Sequence, residues 1–491
     1  MHRYEFKIDP ITRIEGHLGI EVIVEKDRVI EAGAKGTLFR GFEIILKGRN
    51  PLDAPRFSQR ICGVCPASHS KASSLALDKA LNISRIPKNA KIIRSLILGA
   101  NFLQSHILHF YHLSLLDYVD ISKVVGETPP FSPSPHKNCR LPPQLNEELS
   151  KHYLQALEIR RGTHKLLALL GEKMPHNIGI VAGGVTEKVS EDKITNFLWR
   201  LNQIREFIDN VYIPNLFTLG KYYPDCFNIG RSYQRFLAYG GLNLGEEILF
   251  ESGVLEEGKL FEFNSGEIRE KVTSSWYRET SPSPLAAQTE PSLNKEKAYS
   301  FIKSPRYQGK PSEVGPLARL LINYSKGKYK AKDLLNKVLS ELNIEFNNLS
   351  SVLGRHLARA LEAKIVAEAM AEAVLKLEPA EPVITPHQIP ESSQGEGLTE
   401  APRGSLGHWV VIADKKIKNY QVITPAAWNA SPKDDQENPG PLEKALEGIK
   451  IEDKENPLEI VRVVRSFDPC LACAVHLISF KGRKIGEFKV V

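Results

Sequence analysis

The run NAKIIRSLILGANFLQSHILHFYHLSLLDYV, residues 89–119, carries apolar side chains at helical spacing over roughly eight turns. A helix that long and that apolar is a core helix, and it predicts a centre built mainly as a helical bundle. Working outward, the same periodicity predicts helices over residues 144–170, over 191–212 behind Ser190 as N-cap, and over 350–375. Toward the front, residues 18–24 alternate apolar and polar positions and a second run follows near Val29, so a small antiparallel sheet opens the chain. Residues 246–310 are rich in Gly, Ser, Pro and charge, which suggests long surface loops or an inserted hairpin layer without a domain boundary. After Pro379 strands return, with 409–413 and 420–423 flanking the turn-like Asp414-Lys415-Lys416. The expected class is therefore α+β: a large, mainly helical core with small antiparallel sheets formed by the N- and C-terminal regions.

Composition bounds this further. At 491 residues, 42% hydrophobic and 25% charged, the chain reads as an ordinary globular protein with ample apolar side chains for a core. The net charge of +7 comes from 65 basic and 58 acidic residues interspersed along the chain, a solvated surface and not a nucleic-acid footprint. No internal repeat or low-complexity tract occurs, so solenoids and binding arrays are disfavoured. No run of about 18 apolar residues suggests a membrane span, and the charged N-terminus lacks the apolar core of a signal peptide, so export would need a partner's signal.

Six cysteines are too few for a disulfide scaffold in so long a chain, and four fall into two Cys-x-x-Cys pairs. In RICGVCPASHS, Cys62 and Cys65 precede Pro66, which is favoured at a helix's first position. Cys65 at a helix N-terminus would have its thiolate favoured by exposed N–H groups and the helix dipole. In SFDPCLACAVH, Asp468 is the expected N-cap and Pro469 the first helical residue, with Cys470, Cys473 and His476 following at i, i+3 spacing on one face. Spacing alone leaves structural zinc, rubredoxin-like iron and thioredoxin-type redox sites open. The 408 positions between Cys62 and Cys470 weigh against a compact zinc knuckle, and four thiolates suit soft, redox-capable metals.

At these residues the chain resembles the large subunits of nickel-iron hydrogenases. The matching strings run in order: DPITRIEGHL (9–18), RGFE (40–43), RICGVCPASHS, SHILHFYHL, SWY (275–277), EVGPLAR (313–319), EAPRGSLGHW (400–409) and SFDPCLACAVH. The resemblance implies an oxidoreductase that oxidises dihydrogen reversibly to protons and electrons. Cys62, Cys65, Cys470 and Cys473 match the four nickel ligands, with Cys65 and Cys473 shared with an iron carrying carbon monoxide and cyanide. Glu15 matches a proton-passing glutamate, and Arg403, after Pro402, matches a guanidinium above the open metal position, with Asp468 as its carboxylate companion. Glu43, His476 and the backbone carbonyl of Val422 match ligands of a buried magnesium.

The implied chemistry needs a dry site that also polarises: a metal as Lewis acid, a base beside it and a fixed charge nearby. Only Cys139 and Cys226 remain, too few for one four-cysteine iron-sulfur cluster, so a separate cluster-bearing small subunit is implied as partner. Metal-insertion factors and a maturation protease are implied too, the latter removing residues 477–491 and leaving 1–476 as the mature domain. Nucleic acid is not an expected partner, and any membrane contact would run through partner subunits, with a periplasmic or a cytoplasmic location equally compatible. Two positions depart from what many relatives show: Ser105 stands where an aspartate is common, and Ala426 and Ala427 where a hydroxyl residue is.

The plainer readings stand beside these. His69 caps or packs its helix, or bonds a site cysteine; His106, His109 and His112 read as hydrogen-bonded packing residues; Arg60 and Arg319 read as structural ion-pair partners. Cys139 and Cys226 are most economically buried or stray thiols. A complex I-like quinone-site subunit lacking the metal cysteines and a structural zinc protein are the alternatives from other classes.

Overall fold

The computed structural model describes residues 3–125, 138–244, 248–454 and 456–474. The opening sheet is β1 (Arg3–Ile8), β2 (Leu18–Glu25) and β3 (Arg28–Gly36), antiparallel in that order. Then α1 (Pro66–Ala80) begins one residue after Cys65 with proline at its first position. The core helix is α2 (Lys88–Ile107), buried on every side from Ile92 to Ile107 and continued by a π segment (Leu108–Ser114) and a 3-10 turn (Leu115–Asp117). Helix α3 (Pro143–Gly171) packs along it. Helix α4 (Glu191–Phe207) starts where the Ser190 hydroxyl accepts the Lys193 N–H at 3.3 Å. The expected stop at Tyr212 is not a stop. A π segment, Ile208–Tyr212, runs straight into α5 (Ile213–Tyr222), the wider turn accommodating Pro214, which offers no N–H.

The stretch read as surface loops or a hairpin layer contains β5 (Ile248–Glu256) and β6 (Lys259–Phe261), which form a hairpin sheet with β4 (Arg235–Asn243) just before it. It also holds a buried strand pair that is no surface loop, β7 (Ile268–Lys271) with β8 (Ser304–Tyr307). Helix α6 (Pro316–Ser325) lies against β4 and β5, and α7 (Val352–Val374), capped by Ser351, completes the bundle against α2, α4 and α6. The C-terminal sheet is β9 (Ser392–Ala401), β10 (Gly404–Ala413) and β11 (Lys416–Ile423), all antiparallel. Helices α8 (Leu458–Ser466) and α9 (Leu471–Ala474) follow. Among the described residues no helix is long and apolar enough to cross a membrane.

Small residues set the distance between sheet and helix where it matters. A Cβ on Gly397 would stand 1.9 Å from the Ala72 carbonyl oxygen, and one on Gly395 2.2 Å from that of Ala76. Positions 395 and 397 share one face of β9, as alternate strand residues must, so the strand lies directly on α1. That contact fixes the start of α1, and with it Cys65.

Candidate metal centre

Three sulfurs from opposite ends of the chain converge. Cys62, Cys65 and Cys470 are buried, their Sγ atoms lie within 4.8 Å of one another, and Cys62 Sγ is 3.3 Å from Cys470 Sγ. Cys62 leaves a 3-10 turn in extended conformation, and its sulfur accepts the N–H of Val64 at 3.3 Å and of Cys65 at 3.5 Å. Two backbone donors aimed at one sulfur favour its thiolate. Cys65 is the N-cap of α1, as the proline beside it predicts. The backbone of Cys473 lies in α9, but its side chain, His476 and the 477–491 tail lie outside the described residues.

The expected N-cap role of Asp468 is overturned. Its φ is +53°, its N–H donates to Arg465 O at 2.9 Å, and it follows the C-cap Phe467, so it is the left-handed residue that ends α8. Pro469 then prevents continuation, and α9 begins at Leu471, not at Pro469. Cys470 sits between the two helices in a parallel bridge with Glu15, and the Leu471 N–H donates to the Glu15 carbonyl at 2.8 Å. Gly16 permits this approach: its φ is +81°, and a Cβ there would stand 2.6 Å from the Ala472 nitrogen. Arg40 ties the two cysteine loops together, donating to Arg60 O at 3.1 Å, to Ile61 O, and to Ala472 O at 2.5 Å. Arg60 itself is exposed and contributes that carbonyl.

Glu15 Oε2 accepts the Cys470 thiol at 3.1 Å and the Ala472 N–H at 3.1 Å. Burial, and next the negative charge at Cys62, push its carboxyl up to about 7, against the pull of Cys470 and Arg403. A carboxyl poised there exchanges protons readily at neutral pH. Arg403 is buried, its Nε 3.0 Å from Asp468 Oδ1 and donating to Asp468 O at 3.1 Å. Its two Nη groups and both Asp468 carboxylate oxygens are buried without an aligned hydrogen-bond partner among the described residues. Burial works against the Arg403 cation, but Asp468 and the sulfurs of Cys470, Cys65 and Cys62 outweigh it and hold its pKa well above the usual value.

The turn that presents Arg403 rests on Arg319. That guanidinium pairs with Glu362 and Glu400 at 2.6 Å each and donates to Ala401 O at 3.0 Å and Pro402 O at 2.9 Å. Arg319 is thus the ion-pair partner expected of it, and it also positions the site. Ala426 lines a small cavity with Arg403, Asp468 and Pro469. The Ala427 N–H is taken by Thr424 Oγ1 at 3.3 Å. Ser105 is buried, and its hydroxyl has no hydrogen-bond partner among the described residues.

Glu43 belongs to a second buried cluster. Its Oε1 accepts the Val422 N–H at 2.8 Å, and its Oε2 meets Thr289 Oγ1 and, at 3.2 Å, Lys303 Nζ. Lys303 also reaches Glu270 at 3.0 Å and Gln421 at 3.1 Å. His69 packs by hydrogen bonding, Nδ1 to His408 Nε2 at 3.1 Å, and His408 Nδ1 meets Tyr420 Oη at 2.7 Å. His106 meets Glu362 at 2.8 Å and His109 meets Arg465 O at 2.6 Å, while the His112 ring packs edge-on against Tyr153 with centroids 4.9 Å apart. Cys226 is buried and its thiol pushed up to about 11 by that burial, an inert side chain. Sequence reasoning gave no role to Arg40, Gly16 or Lys303; the RGFE string was the one signal available for Arg40.

A soft donor set of converging buried sulfurs, with a base on one and unpartnered guanidinium arms beside them, fits a redox-capable metal centre. Comparison with known proteins agrees. The sequence matches the family described as nickel-dependent hydrogenase over residues 40–133 and 124–476, and one described as HoxL-like over 5–33. It is similar to the periplasmic [NiFeSe] hydrogenase large subunit of Desulfomicrobium baculatum, 40% identical over 97% of this chain and 95% of that one. The quinone-reactive Ni/Fe-hydrogenase large chain of Wolinella succinogenes is 33% identical over 98% and 97%. Among solved structures, the Ni-Fe-Se hydrogenase of D. vulgaris Hildenborough in its reduced state superposes with a TM-score of 0.89 at 42% identity, covering 97% of this chain and 100% of that one.

Proposed function

We propose, from the premise that this chain belongs to the nickel-dependent hydrogenase family as a large, catalytic subunit, that its buried thiolates hold a nickel-iron centre where dihydrogen is oxidised reversibly to protons and electrons. The observation that carries the reading is the meeting of Cys62 and Cys470 at 3.3 Å with Glu15 bonded to Cys470. Cys62, Cys65, Cys470 and Cys473 would hold the nickel and, beside it, an iron that would carry carbon monoxide and cyanide. When bound, the metals supply Lewis-acid and redox chemistry for splitting dihydrogen.

The chain's own residues do the rest. The Cys470 sulfur stands 3.1 Å from Glu15 Oε2, so a proton on sulfur passes to the carboxylate in one step. With its pKa near 7, Glu15 accepts that proton and gives it up again at similar cost. Arg403 offers two unpartnered Nη groups in a dry setting, where a fixed cation stabilises charge strongly, and Asp468 and Pro402 hold its place. With the Ala427 N–H already taken, Arg403 is also the donor for a cyanide where a hydroxyl residue is missing. Glu43, the Val422 carbonyl and His476 would hold a magnesium ion, and the Val422 N–H on Glu43 supports this by bringing two of the three together.

Electrons leave through the iron-sulfur clusters of a small subunit, the partner that a large hydrogenase subunit implies. Metal-insertion factors load the centre, and a protease removes residues 477–491 after His476. Agreement with the nickel-dependent family likewise extends to residue 476. The subunit co-produced with its small partner and maturation factors is expected to contain nickel and iron, to reduce an artificial acceptor under hydrogen, and to show an intact mass ending at His476. Zinc without nickel and no hydrogen-dependent reduction would overturn the assignment. Full activity with Val491 still attached would overturn the processing alone.

A further inference from the structure

We propose that Arg359 is a positioning residue for this centre, a second guanidinium that acts on it through Asp468. The inference rests on the nickel-iron reading of the cysteine site. Arg359 lies on α7 and is 2% exposed. Four other guanidinium groups buried in the fold contact a carboxylate directly: Arg94 with Asp78, Arg306 with Asp434, Arg319 with Glu362, Arg355 with Glu313, whereas Arg462, also buried, bonds the backbone carbonyl of Asp117. Arg359 contacts none among the described residues. Its Nη1 donates to Arg355 O on its own helix at 3.2 Å, and its Nε is buried with no partner. A buried cation without a counter-ion is costly, so a fold that keeps one has its charge answered from a distance.

Asp468 supplies that answer. Arg359 lines one small cavity and Arg403 with Asp468 lines another, and the two cavities share Phe467 and Asn429 as a wall. Asp468 is the principal charge favouring the Arg359 cation, while Arg403 opposes it. Burial lowers the Arg359 pKa to about 10, which still leaves it charged at neutral pH. Asp468, held in its left-handed conformation at the end of α8, is thus one carboxylate between two guanidinium groups: Arg403 in contact, Arg359 across the wall. The pull from Arg359 keeps the carboxylate from turning wholly to Arg403 and so helps set where the Arg403 Nη groups point. It also adds positive charge to the Arg403–Asp468 pair, itself coupled to the sulfurs, in a region where water screens little.

The test uses the heterodimeric holoenzyme. Arg359→Met should co-purify with the small subunit and keep nickel at the wild-type stoichiometry. The midpoint potential of its nickel signal, followed by electron paramagnetic resonance, should shift negative, because removing a positive charge disfavours the more reduced state. Arg359→Lys, which restores the charge, should return the potential toward the wild-type value. If the Met variant does not accumulate, Arg359→Gln, with a neutral polar head, is read in the same way. A neutral variant with full nickel and the wild-type potential would remove Arg359 from the centre while leaving the nickel assignment intact. Wild-type protein lacking nickel would instead remove the reading on which the inference stands.

Discussion

Around Lys303 the ammonium lies 3.2 Å from Glu43 Oε2, 3.0 Å from Glu270 Oε2 and 3.1 Å from Gln421 Oε1, whereas around Cys470 the two Arg403 Nη groups are buried with no hydrogen-bond partner among the described residues. Both clusters are polar and buried, and both join residues from distant parts of the chain. Lys303 is held well above its usual pKa, because the two glutamates outweigh the burial that would lower it. The first cluster therefore balances most of its charge from its own side chains. The second stays incomplete, and each unsatisfied buried group costs roughly 1–3 kcal/mol. Such a debt persists where a species from outside the chain completes the set. By that criterion the sulfur cluster is the stronger metal site, and the Glu43 cluster one where a cation would add to pairing already in place.

The sharpest way to break this contrast is at the sulfurs. Cys62→Ser or Cys470→Ser replaces a soft thiolate with a hard hydroxyl, and both nickel content and hydrogen turnover should be lost. Normal nickel in either variant would mean that the convergence of sulfurs is not a ligand set. Next in size, Glu15→Gln keeps the shape and removes the proton carrier. Nickel should be retained while hydrogen-deuterium exchange falls by about 100-fold or more. Exchange at the wild-type rate would place the proton route elsewhere. On the other side of the contrast, Lys303→Met leaves Glu43 and Glu270 buried without their cation, at a cost of roughly 3–5 kcal/mol in chemical denaturation. Added magnesium should recover part of that loss. No loss would mean that the pairing contributes little, and loss without recovery would remove the magnesium proposal.

How much of this could be read in advance follows the range of the signal. Helical periodicity is local, so α2, α3, α4 and α7 were legible, with Ser190 marking one start. Proline after Cys65 marked another. Asp468 misled because an aspartate before a proline reads as an N-cap, while the helix that it in fact closes, α8, carried no recognised signal. Lys303 was hidden in a stretch whose Gly, Ser, Pro and charge look like solvent-exposed loop. Its burial depends on Glu43, 260 positions away, and no local pattern encodes such a pairing. The cysteines were legible as metal-binding types, but their convergence depends on Gly16 and Arg40, whose roles exist only once the two ends of the chain meet.

The smallest expected effect tests whether complete hydrogen bonding is enough by itself. Glu443 is a buried carboxyl with no ion-pair contact among the described residues, accepting from the Ala34 N–H at 2.8 Å, the Tyr299 hydroxyl at 2.8 Å and the Gly440 N–H at 3.2 Å. Burial pushes its pKa from 4.5 up to about 7 in spite of those donors. Between these two values the folded protein holds a proton there that the unfolded chain has released. Stability from this group therefore falls as pH rises across that window and levels off above it. The slope is at most about 1.4 kcal/mol per pH unit. Glu443→Gln resembles the protonated acid at every pH, so it should match wild type near pH 5 and gain on it toward pH 8 in denaturant titrations. Parallel stability profiles for the two proteins would show that the three hydrogen bonds hold the charged carboxylate as well as the neutral acid, and that a buried group here needs neither a counter-ion nor a metal to be complete.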